Sequence, residues 1–219
     1  MDKVIKYLMN DLKLKDKDII VIGNSAGPDS MALTDILLKL REKIDIKIIC
    51  AHVNHNVRKE SKEEAIFLKE YCEENDIIFE SMIIEKYGDD NFHNEARAIR
   101  YSFFDKIVKK YDANYLMTAH HGDDLMETIL MRIVRGSSLK GYAGFKTVIE
   151  KDTYKIVRPL IFMTKEEIKD YDDKLGIKYA IDASNFKAKY TRNRYRKVVL
   201  PFLKEEDKNV HMHFLKFSK

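Results

Sequence analysis

The stretch that decides the fold is IIVIGNSAGPDSMALTDIL, residues 19–37. Its first five residues are apolar or glycine, as in a strand that is buried on both faces of a sheet. Small and polar residues fill positions 24–30, and apolar residues then recur with helical spacing. A strand, a tight loop and a helix in this order predict the first unit of a parallel sheet with helices on its faces.

The same alternation continues along the chain. Apolar runs predict four buried strands, at residues 18–23, 45–53, 77–84 and 114–118. Helical spacing is found at residues 30–43, 59–75, 94–111 and 123–135, and a first helix at residues 3–14 precedes them. The predicted fold is α/β: a doubly wound, Rossmann-like parallel sheet flanked by helices, with a short helical C-terminal extension.

The pattern loosens after Gly136. The run GSSLKGYAGF is rich in glycine and predicts a loop, and a short strand at residues 154–160 follows. Thr164 and Glu167 form a capping box at the start of a helix, and Thr191 caps a last basic helix that ends near Pro201. We expect a core at residues 1–145, with the remainder of the same domain and a basic helical tail at residues 146–219.

Composition excludes several classes of protein. The 219 residues are 45% hydrophobic and 35% charged, and no apolar run reaches the length of a membrane span or a signal-peptide core. We therefore expect a soluble cytoplasmic protein. Cys50 and Cys72 are the two cysteines, which argues against a disulfide framework or a zinc site. The net charge is +4, but residues 187–197, KAKYTRNRYRK, contain no acid and indicate a polyanionic partner or a basic surface helix.

Residues 24–30, which we call the phosphate loop, follow the first strand, where open parallel sheets bind ligands. Small residues let backbone N–H groups form an anion nest, and the next helix adds positive charge at its N-terminus. Ser25 and Ser30 offer hydroxyl groups, and Asp29 offers a carboxylate for Mg²⁺. The lysine of a Walker A loop is missing. A strand-to-helix turn without a ligand is the alternative.

The pattern SAGPDS resembles the PP-loop of the N-type ATP pyrophosphatases, and within them the chain resembles the family of tRNA(Ile)-lysidine synthetases. Six ordered segments carry this resemblance between residues 18 and 201. They are SAGPDSMAL, AHVNHNVRKES, NEARAIRYSFF, TAHHGDDLMETILMRIVRGSSLKG, RPLIFMTKEEI and DASNFKAKYTRNRYRKVVLP. The resemblance implies an adenine nucleotide alpha hydrolase-like fold, with a PP-loop ATP pyrophosphatase core at residues 1–145 and the remainder of the catalytic domain at residues 146–219. We expect no separate C-terminal tRNA-binding domain.

The resemblance also implies a reaction. ATP adenylates the wobble cytidine of tRNA(Ile) with a CAU anticodon at carbon 2, pyrophosphate leaves, and free lysine then displaces AMP to give lysidine. ATP, Mg²⁺, free L-lysine and the tRNA are the expected ligands, and a homodimer is possible. The ATP site implied by the resemblance comprises Asn24, Ser25, Ala26, Gly27, Pro28, Asp29, Ser30, His52 and Val53.

Acidic residues crowd the segment HGDDLMET. Asp123, Asp124 and Glu127 are three or four apart, so a helix gathers them in its first turn, and they repel one another unless a cation lies among them. We assign Asp124 and Glu127 to the substrate lysine, and Asp123 to metal or to the helix cap. An acidic first turn facing solvent is the alternative. His120, or His121, assists removal of the proton from the lysine ammonium.

Basic residues suit phosphate and RNA. Arg97 and Arg100 lie three apart on one helix face and indicate bidentate phosphate binding; an ion pair with Glu95 is the alternative. We predict tRNA contacts at Arg58, Arg135, Arg192, Arg194 and Arg196, with Tyr190 and Tyr195 as stacking surfaces. His55 is either at the mouth of the site or a surface residue. We interpret Ile129, Leu130, Ile133 and Val134 as core.

Two residues of the phosphate loop depart from the family pattern. Ala26 stands where the family usually has glycine, and Asn24 replaces a small apolar residue. If residue 26 needs a positive φ or touches a phosphate, its methyl group costs about 1 kcal/mol or more. Three alternatives stay open: a related tRNA thiolase, a non-catalytic tRNA- or nucleotide-binding relative with a decayed site, and an amidotransferase-type synthetase that this sequence matches poorly.

Overall fold

The computed structural model describes residues 2–55, 60–84, 92–180 and 191–219. Its described strands form one sheet in the order β3-β2-β1-β4-β6-β5. All neighbours are parallel except β5 and β6, which are antiparallel. The strands are β1 Ile19–Gly23, β2 Lys47–Asn54, β3 Ile78–Ile83, β4 Tyr115–Thr118, β5 Val148–Glu150 and β6 Lys155–Val157. The predicted doubly wound sheet is confirmed.

Ten α-helices accompany this sheet in the described ranges. They are α1 Asp2–Lys6, α2 Pro28–Arg41, α3 Glu60–Glu74, α4 Phe92–Lys110, α5 Gly122–Arg135, α6 Leu139–Tyr142, α7 Lys165–Leu175, α8 Thr191–Arg194, α9 Leu200–Glu206 and α10 Val210–Phe217. Wider π-helical turns, Tyr7–Asp11 and Tyr195–Val199, continue α1 and α8, and a 3₁₀ turn, Pro159–Phe162, follows β6.

The core lies on both faces of the sheet. Ile20 and Ile22 of β1 point to one face, where residues of α1, α2, α3 and α7 complete the largest apolar cluster. Val21 points to the other face and packs with Phe104 and Ile107 of α4. Strands that are buried on both faces explain the continuous apolar runs in the sequence.

The order of the strands places the site. The chain runs from β1 outward to β2 and β3, and then returns to the other side of β1 with β4. Ligands bind at such a switch point, beyond the carboxyl ends of the strands. Gly23 at the end of β1 pairs in register with Ala51 of β2 and Thr118 of β4. The segments that follow these three strands therefore meet at one edge.

Four details differ from the sequence predictions. Strand β5 and the short helix α6 lie in or beside the region predicted as a loop. The last basic helix does not end near Pro201, because proline lies in the first turn of α9, where its missing N–H costs little. Helix α10 follows and was not predicted.

The fourth difference concerns the second half of α5. Ile129 is buried as predicted, but Ile133 and Val134 are 52% and 72% exposed. Leu125 and Ile129 pack with Ile161 and Leu215, and the helix then extends beyond these partners. The interpretation of Ile133 and Val134 as core was wrong. Within the described ranges, no helix is long and apolar enough to cross a membrane.

Candidate functional site

The phosphate loop is held in shape by its first residue. Asn24 Oδ1 accepts a hydrogen bond from the Ala26 N–H at 2.7 Å, and Asn24 Nδ2 donates to Thr34 Oγ1 at 2.9 Å. Asn and Asp side chains stabilise tight turns in this way. Ala26 has a φ of 62°, in the left-handed region that favours glycine. The asparagine at position 24 therefore stabilises the left-handed conformation that the alanine adopts at position 26.

The side chain of Ala26 turns away from the loop opening. It is fully buried in the main core and does not line the cleft beside the loop. The Ala26 carbonyl oxygen accepts a hydrogen bond from the Ala180 N–H at 2.8 Å. The positive φ that we considered is present, but the methyl group does not crowd the cleft.

The open side of the loop carries its polar groups. Ser30 Oγ donates to the Gly27 carbonyl oxygen at 2.9 Å and accepts from the Ser25 N–H at 3.3 Å. Pro28 begins α2, and its fixed φ suits a first helical position. Asp29 follows in the first turn, where the helix N–H groups lack intrahelical acceptors. This arrangement suits an anion.

The end of β2 supports the loop from one side. His52 is buried, and its Nδ1 lies 3.0 Å from the Asn24 carbonyl oxygen. Burial lowers the pKa of His52, so the ring is neutral at pH 7. Val53 and His55 line the cleft. Arg58, predicted to contact tRNA, lies outside the described residues, as does Tyr190.

Helix α4 contributes Arg100 to the cleft. Arg97 lies on the same helix but is not among the residues that line the cleft. Its guanidinium group lies 4.8 Å from the ring centroid of Tyr101, which does line the cleft. Arg100, which is half-buried, also lies over this ring, 5.9 Å from its centroid, whereas Arg97 is exposed.

The segment between β4 and α5 brings two histidines to the site. His120 Nδ1 lies 2.9 Å from Thr118 Oγ1. Burial, together with the guanidinium groups of Arg158, Arg97 and Arg100, lowers the pKa of His120 to about 4. His121 is almost fully buried, and its Nε2 lies 3.5 Å from Asp124 Oδ2 and 3.9 Å from Asp29 Oδ2. His121 therefore connects the start of α5 with the phosphate loop.

Asp123, Asp124 and Glu127 at the start of α5, which we call the acidic turn, have three different surroundings. Asp124 Oδ2 accepts from the His121 N–H at 3.1 Å, so the cap is made by Asp124 rather than by Asp123. Burial alone would raise the pKa of Asp124, but His121, His120 and Arg192 lower it to about 2. Asp124 also lines the cleft and is the member of the acidic turn that a ligand can reach there.

Glu127 is enclosed by arginines. Its side chain has no exposed surface, and its two carboxylate oxygens accept from Arg192 Nε and Arg196 Nε, each at 2.7 Å. Arg192 also donates to Thr128 Oγ1 at 3.0 Å. In this state Glu127 orders the two arginines of α8 and the following turn, and it does not line the cleft.

Two lysines that the sequence analysis missed complete the site. Lys165, at the start of α7, contacts Asp29 Oδ1 through its ammonium group. Lys204 of α9 contacts Asp123 Oδ2 at 2.7 Å, with only 13% of the lysine side chain exposed. These partners lie far from the motifs in sequence, and a lone lysine on a helix gives no signal of such a contact.

The arginines proposed for tRNA divide into two groups. Arg192 lines the cleft, and Arg196 reaches the acidic turn beside it. Arg194 is exposed. Arg135 is exposed at the far end of α5, roughly 20 Å along the helix from the acidic turn at the usual helical rise.

The cleft gathers residues from all three strand ends and from α8. Its lining comprises Gly23, Asn24, Ser25, Gly27, Asp29, Ser30, Val53, His55, Arg100, Tyr101, Phe104, Thr118, Ala119, His120, Asp124 and Arg192. Neither Cys50 nor Cys72 is among them, and both are buried free thiols. Donors for phosphate, a carboxylate and a neutral imidazole thus face one opening.

Comparison with known proteins agrees with this arrangement. The chain is 47% identical over 225 residues to a tRNA(Ile)-lysidine synthase of Bacillus cereus, in a match that covers 100% of this chain and 47% of the relative. It is 43% identical to a tRNA(Ile)-lysidine synthase of Bacillus subtilis, with 99% and 47% covered. The chain therefore spans about half the length of the curated relatives that it matches.

A solved structure supports the fold alone. The U34-tRNA thiolase NcsA from Methanococcus maripaludis, determined with its iron–sulfur cluster, superposes with a TM-score of 0.83 and 18% identity, over 99% of this chain and 75% of the thiolase. The PP-loop domain family matches residues 1–203, which include every described cleft residue. From the switch point, the phosphate loop and this match, we conclude that the chain belongs to the PP-loop domain family.

Proposed function

We propose that this chain forms lysidine: it joins free lysine to carbon 2 of the wobble cytidine in tRNA(Ile) with a CAU anticodon, at the expense of ATP. One observation carries the proposal: the phosphate loop, Asp124 and Arg192 open into a single cleft. The similarity to tRNA(Ile)-lysidine synthases along the whole chain gives this cleft its substrate class.

In the first step, the cytosine oxygen on carbon 2 attacks the alpha phosphorus of ATP. A new P–O bond forms, and the bond to the beta phosphate breaks, so that pyrophosphate leaves with the negative charge. Ser25 and Ser30 line the cleft at the start of α2, and we assign their hydroxyl groups and the first N–H groups of α2 to the phosphates, with Arg100 lining the same cleft. Main-chain groups of His52 and Val53 are proposed to bind the adenine edge.

The carboxylates near the loop fit Mg²⁺. Mg²⁺ is held through one or two carboxylates plus substrate phosphates, so a dedicated cluster of protein ligands is not required. Asp29 lines the cleft and offers a hard oxygen donor. Asp123 Oδ1 is buried outside the cleft and has no hydrogen-bond partner among the described residues, so it could bind the ion only if the acidic turn rearranged. Among the described residues, no three or more His, Cys, Asp or Glu side chains lie close enough together to hold one metal ion. When bound, Mg²⁺ would neutralise charge on the departing pyrophosphate.

In the second step, the side-chain amine of lysine attacks carbon 2 of the adenylated base. A C–N bond forms, the C–O bond to the AMP group breaks, and AMP leaves. The ammonium group of lysine must first lose a proton. Asp124 is ionised at pH 7 and faces the cleft, so we assign it to binding that ammonium group. His120 lines the cleft and is neutral at pH 7, so we propose that it assists removal of the proton, but its pKa of about 4 makes it a weak base unless bound ligands raise that pKa.

Glu127, which we also assign to lysine binding, acts in this structure through Arg192 and Arg196. Its carboxylate is fully enclosed by them, so direct contact with lysine requires the arginines to move. We propose that RNA phosphates draw these guanidinium groups outward when tRNA binds. Arg97, Arg194, Arg135 and Arg58 remain proposed phosphate contacts, and tRNA binding should weaken as salt rises.

The arrangement of cysteines favours lysidine formation over thiolation. A thiolase usually needs cysteines near the phosphate loop for sulfur transfer or for an iron–sulfur cluster. Cys50 and Cys72 are buried in the core with Leu68 and Ile48, away from the residues that line the cleft. This chain therefore shares the fold of the thiolase, but it has no cysteine among the described residues that line its cleft. Because lysine, ATP and tRNA are solutes of the cytoplasm, we propose a cytoplasmic location.

The test is an assay with CAU-anticodon tRNA(Ile), labelled lysine and ATP. We expect lysine to enter the tRNA in a one-to-one ratio with AMP release. Asp124→Asn should reduce incorporation at least tenfold, because the ammonium group loses its carboxylate, while Asp173→Asn on the exposed side of α7 should not. Lysine incorporation without AMP, or none with a tRNA that a known synthase modifies, would overturn the proposal.

A further inference from the structure

The phosphate loop has no cation of its own. Residues 24–30 contain one acid, Asp29, and neither lysine nor arginine. Nucleotide loops of the Walker A type carry a lysine that reaches the beta and gamma phosphates. Among the residues lining this cleft, the guanidinium groups belong to Arg100 on α4 and Arg192 on α8. A triphosphate bound here needs positive charge close to the loop itself.

Lys165 supplies that charge from a distant part of the sequence. Its ammonium group contacts Asp29 Oδ1 although the two residues are 136 positions apart. The lysine side chain is 35% exposed and the aspartate side chain 29% exposed, so the pair is open to solvent, and Asp29 lines the cleft. The ammonium group is thereby held at the edge of the phosphate loop.

The backbone of Lys165 is fixed at the same place. The Lys165 N–H donates to Asp123 Oδ2 at 3.3 Å, and the Met163 carbonyl oxygen accepts from the Gly122 N–H at 2.8 Å. Gly122 allows this approach, because a Cβ there would lie 3.0 Å from the Met163 carbonyl oxygen. Thr164 closes a capping box at the start of α7. The backbone of Lys165 is therefore fixed, while its flexible side chain can still reorient.

We infer that Lys165 is a phosphate-binding residue, whose ammonium group contacts the beta and gamma phosphates of the nucleotide and the departing pyrophosphate. This inference rests on the proposed use of ATP. Asp29 holds the ammonium group in the ligand-free chain, and phosphate oxygens replace that partner when nucleotide binds. Lysine serves such a site as a mobile point charge.

The test measures binding rather than turnover. Calorimetric titration with ATP, inorganic pyrophosphate and AMP, each in EDTA, separates the phosphates without involving a metal. Lys165→Met should bind ATP and pyrophosphate roughly ten- to hundredfold more weakly, the range for one lost charged hydrogen bond, and should bind AMP unchanged. Lys165→Arg should recover part of the loss. Lys169→Met, on the same helix in an exposed ion pair with Asp173, is the matched control and should behave as wild type.

A second pair of variants excludes an indirect effect. Removing Lys165 also leaves Asp29 unpaired, and its negative charge would repel phosphate. In an Asp29→Asn background this repulsion is absent, so Lys165→Met should still weaken pyrophosphate binding at least fivefold. No loss in that background, an equal loss for AMP, or wild-type pyrophosphate binding by Lys165→Met would overturn the inference while leaving the proposed function intact. A wild-type chain that binds neither ATP nor pyrophosphate, whether in EDTA or with Mg²⁺, would overturn both.

Discussion

The phosphate loop and the acidic turn face the same cleft but are built differently. In the loop, side-chain hydrogen bonds join residues two, five and ten positions apart: Ala26 to Asn24, Ser25 to Ser30, and Asn24 to Thr34. Distant contacts, from the Ala180 N–H to the Ala26 carbonyl oxygen and from Lys165 to Asp29, add to this local frame. The acidic turn is held by residues 65 and 81 positions away: Arg192 on Glu127 and Lys204 on Asp123. The turn of the loop is therefore set mainly by near neighbours, whereas the acidic turn depends mainly on the C-terminal helices.

This difference has a consequence for stability. Losing a contact within the loop affects one turn of backbone. Losing a contact of the acidic turn leaves a buried charge without its partner and also frees a helix. Removing one member of a buried ion pair costs about 3–5 kcal/mol, while a local backbone change costs about 1 kcal/mol or less. Stability measurements can separate the two regions.

The largest effect is expected for Lys204→Met. The Lys204 and Asp123 side chains are 13% and 4% exposed. Without the lysine, the buried Asp123 carboxylate keeps one hydrogen-bond donor among the described residues, the Lys165 N–H. We expect the free energy of unfolding to fall by about 3 kcal/mol in urea titrations followed by circular dichroism. Lys208→Met, at an exposed position in the turn between α9 and α10, is the control. Equal stability of the two variants would show that α9 is not held by this pair.

A smaller loss is expected for Glu127→Gln. The neutral amide cannot hold two guanidinium groups, but Arg192 and Arg196 are 46% and 36% exposed and can turn to water. We expect a loss of about 2 kcal/mol, less than for a fully buried pair. Trypsin should also cut near α8 faster than in wild type, because the arginines are released. Glu70→Gln, at an exposed position of α3, should change neither quantity.

The same contrast explains what the sequence could and could not predict. The four parallel strands and the phosphate loop carry local signals: continuous apolar runs, and small residues between a strand and a helix. The contacts of Lys165 and Lys204 carry none, since any exposed helix has lysines at similar spacing. Ile133 and Val134 were misread because helical periodicity marks an apolar face but not the point at which its partners end.

A pH-dependent effect is expected at Asp172 of α7, beside the loop. Asp172 is 1% exposed, and neither of its carboxyl oxygens has a hydrogen-bond partner among the described residues. Burial, with Asp29 nearby, raises the pKa of Asp172 from 3.8 to about 7. The folded chain therefore keeps this proton between about pH 4 and 7 while the unfolded chain releases it. The resulting stability is fully present below about pH 4, falls as the pH rises from about 4 to 7, and is lost above about pH 7.

Asp172→Asn tests this sign. The amide does not ionise, so the variant should gain about 2 kcal/mol relative to wild type between pH 5 and pH 8 in thermal unfolding curves. Asp173→Asn, at the neighbouring exposed position, should follow the wild-type pH profile. An unchanged difference between Asp172→Asn and wild type across this range would mean that the carboxyl does not titrate there.

The smallest effect is expected for Ala26→Gly. Glycine relieves the strain of a φ of 62°, by about 1 kcal/mol, but removes a fully buried methyl group worth about 0.8 kcal/mol. The two terms nearly cancel, so stability should change by less than about 0.5 kcal/mol. Because the methyl group does not line the cleft, ATP affinity should also stay unchanged, in contrast to Lys165→Met.

Ala32→Gly is the matched comparison for Ala26→Gly. Ala32 is equally buried but lies inside α2, where glycine loses the methyl group and is also disfavoured in the helix. We expect it to cost about 1–2 kcal/mol in the same urea titration. The difference between the two variants measures the left-handed strain at residue 26. If Ala26→Gly were as destabilising as Ala32→Gly, glycine would relieve no strain at residue 26. The hydrogen bond from the Ala26 N–H to Asn24 would then already offset the cost of the positive φ, so that Asn24 compensates for the alanine at position 26.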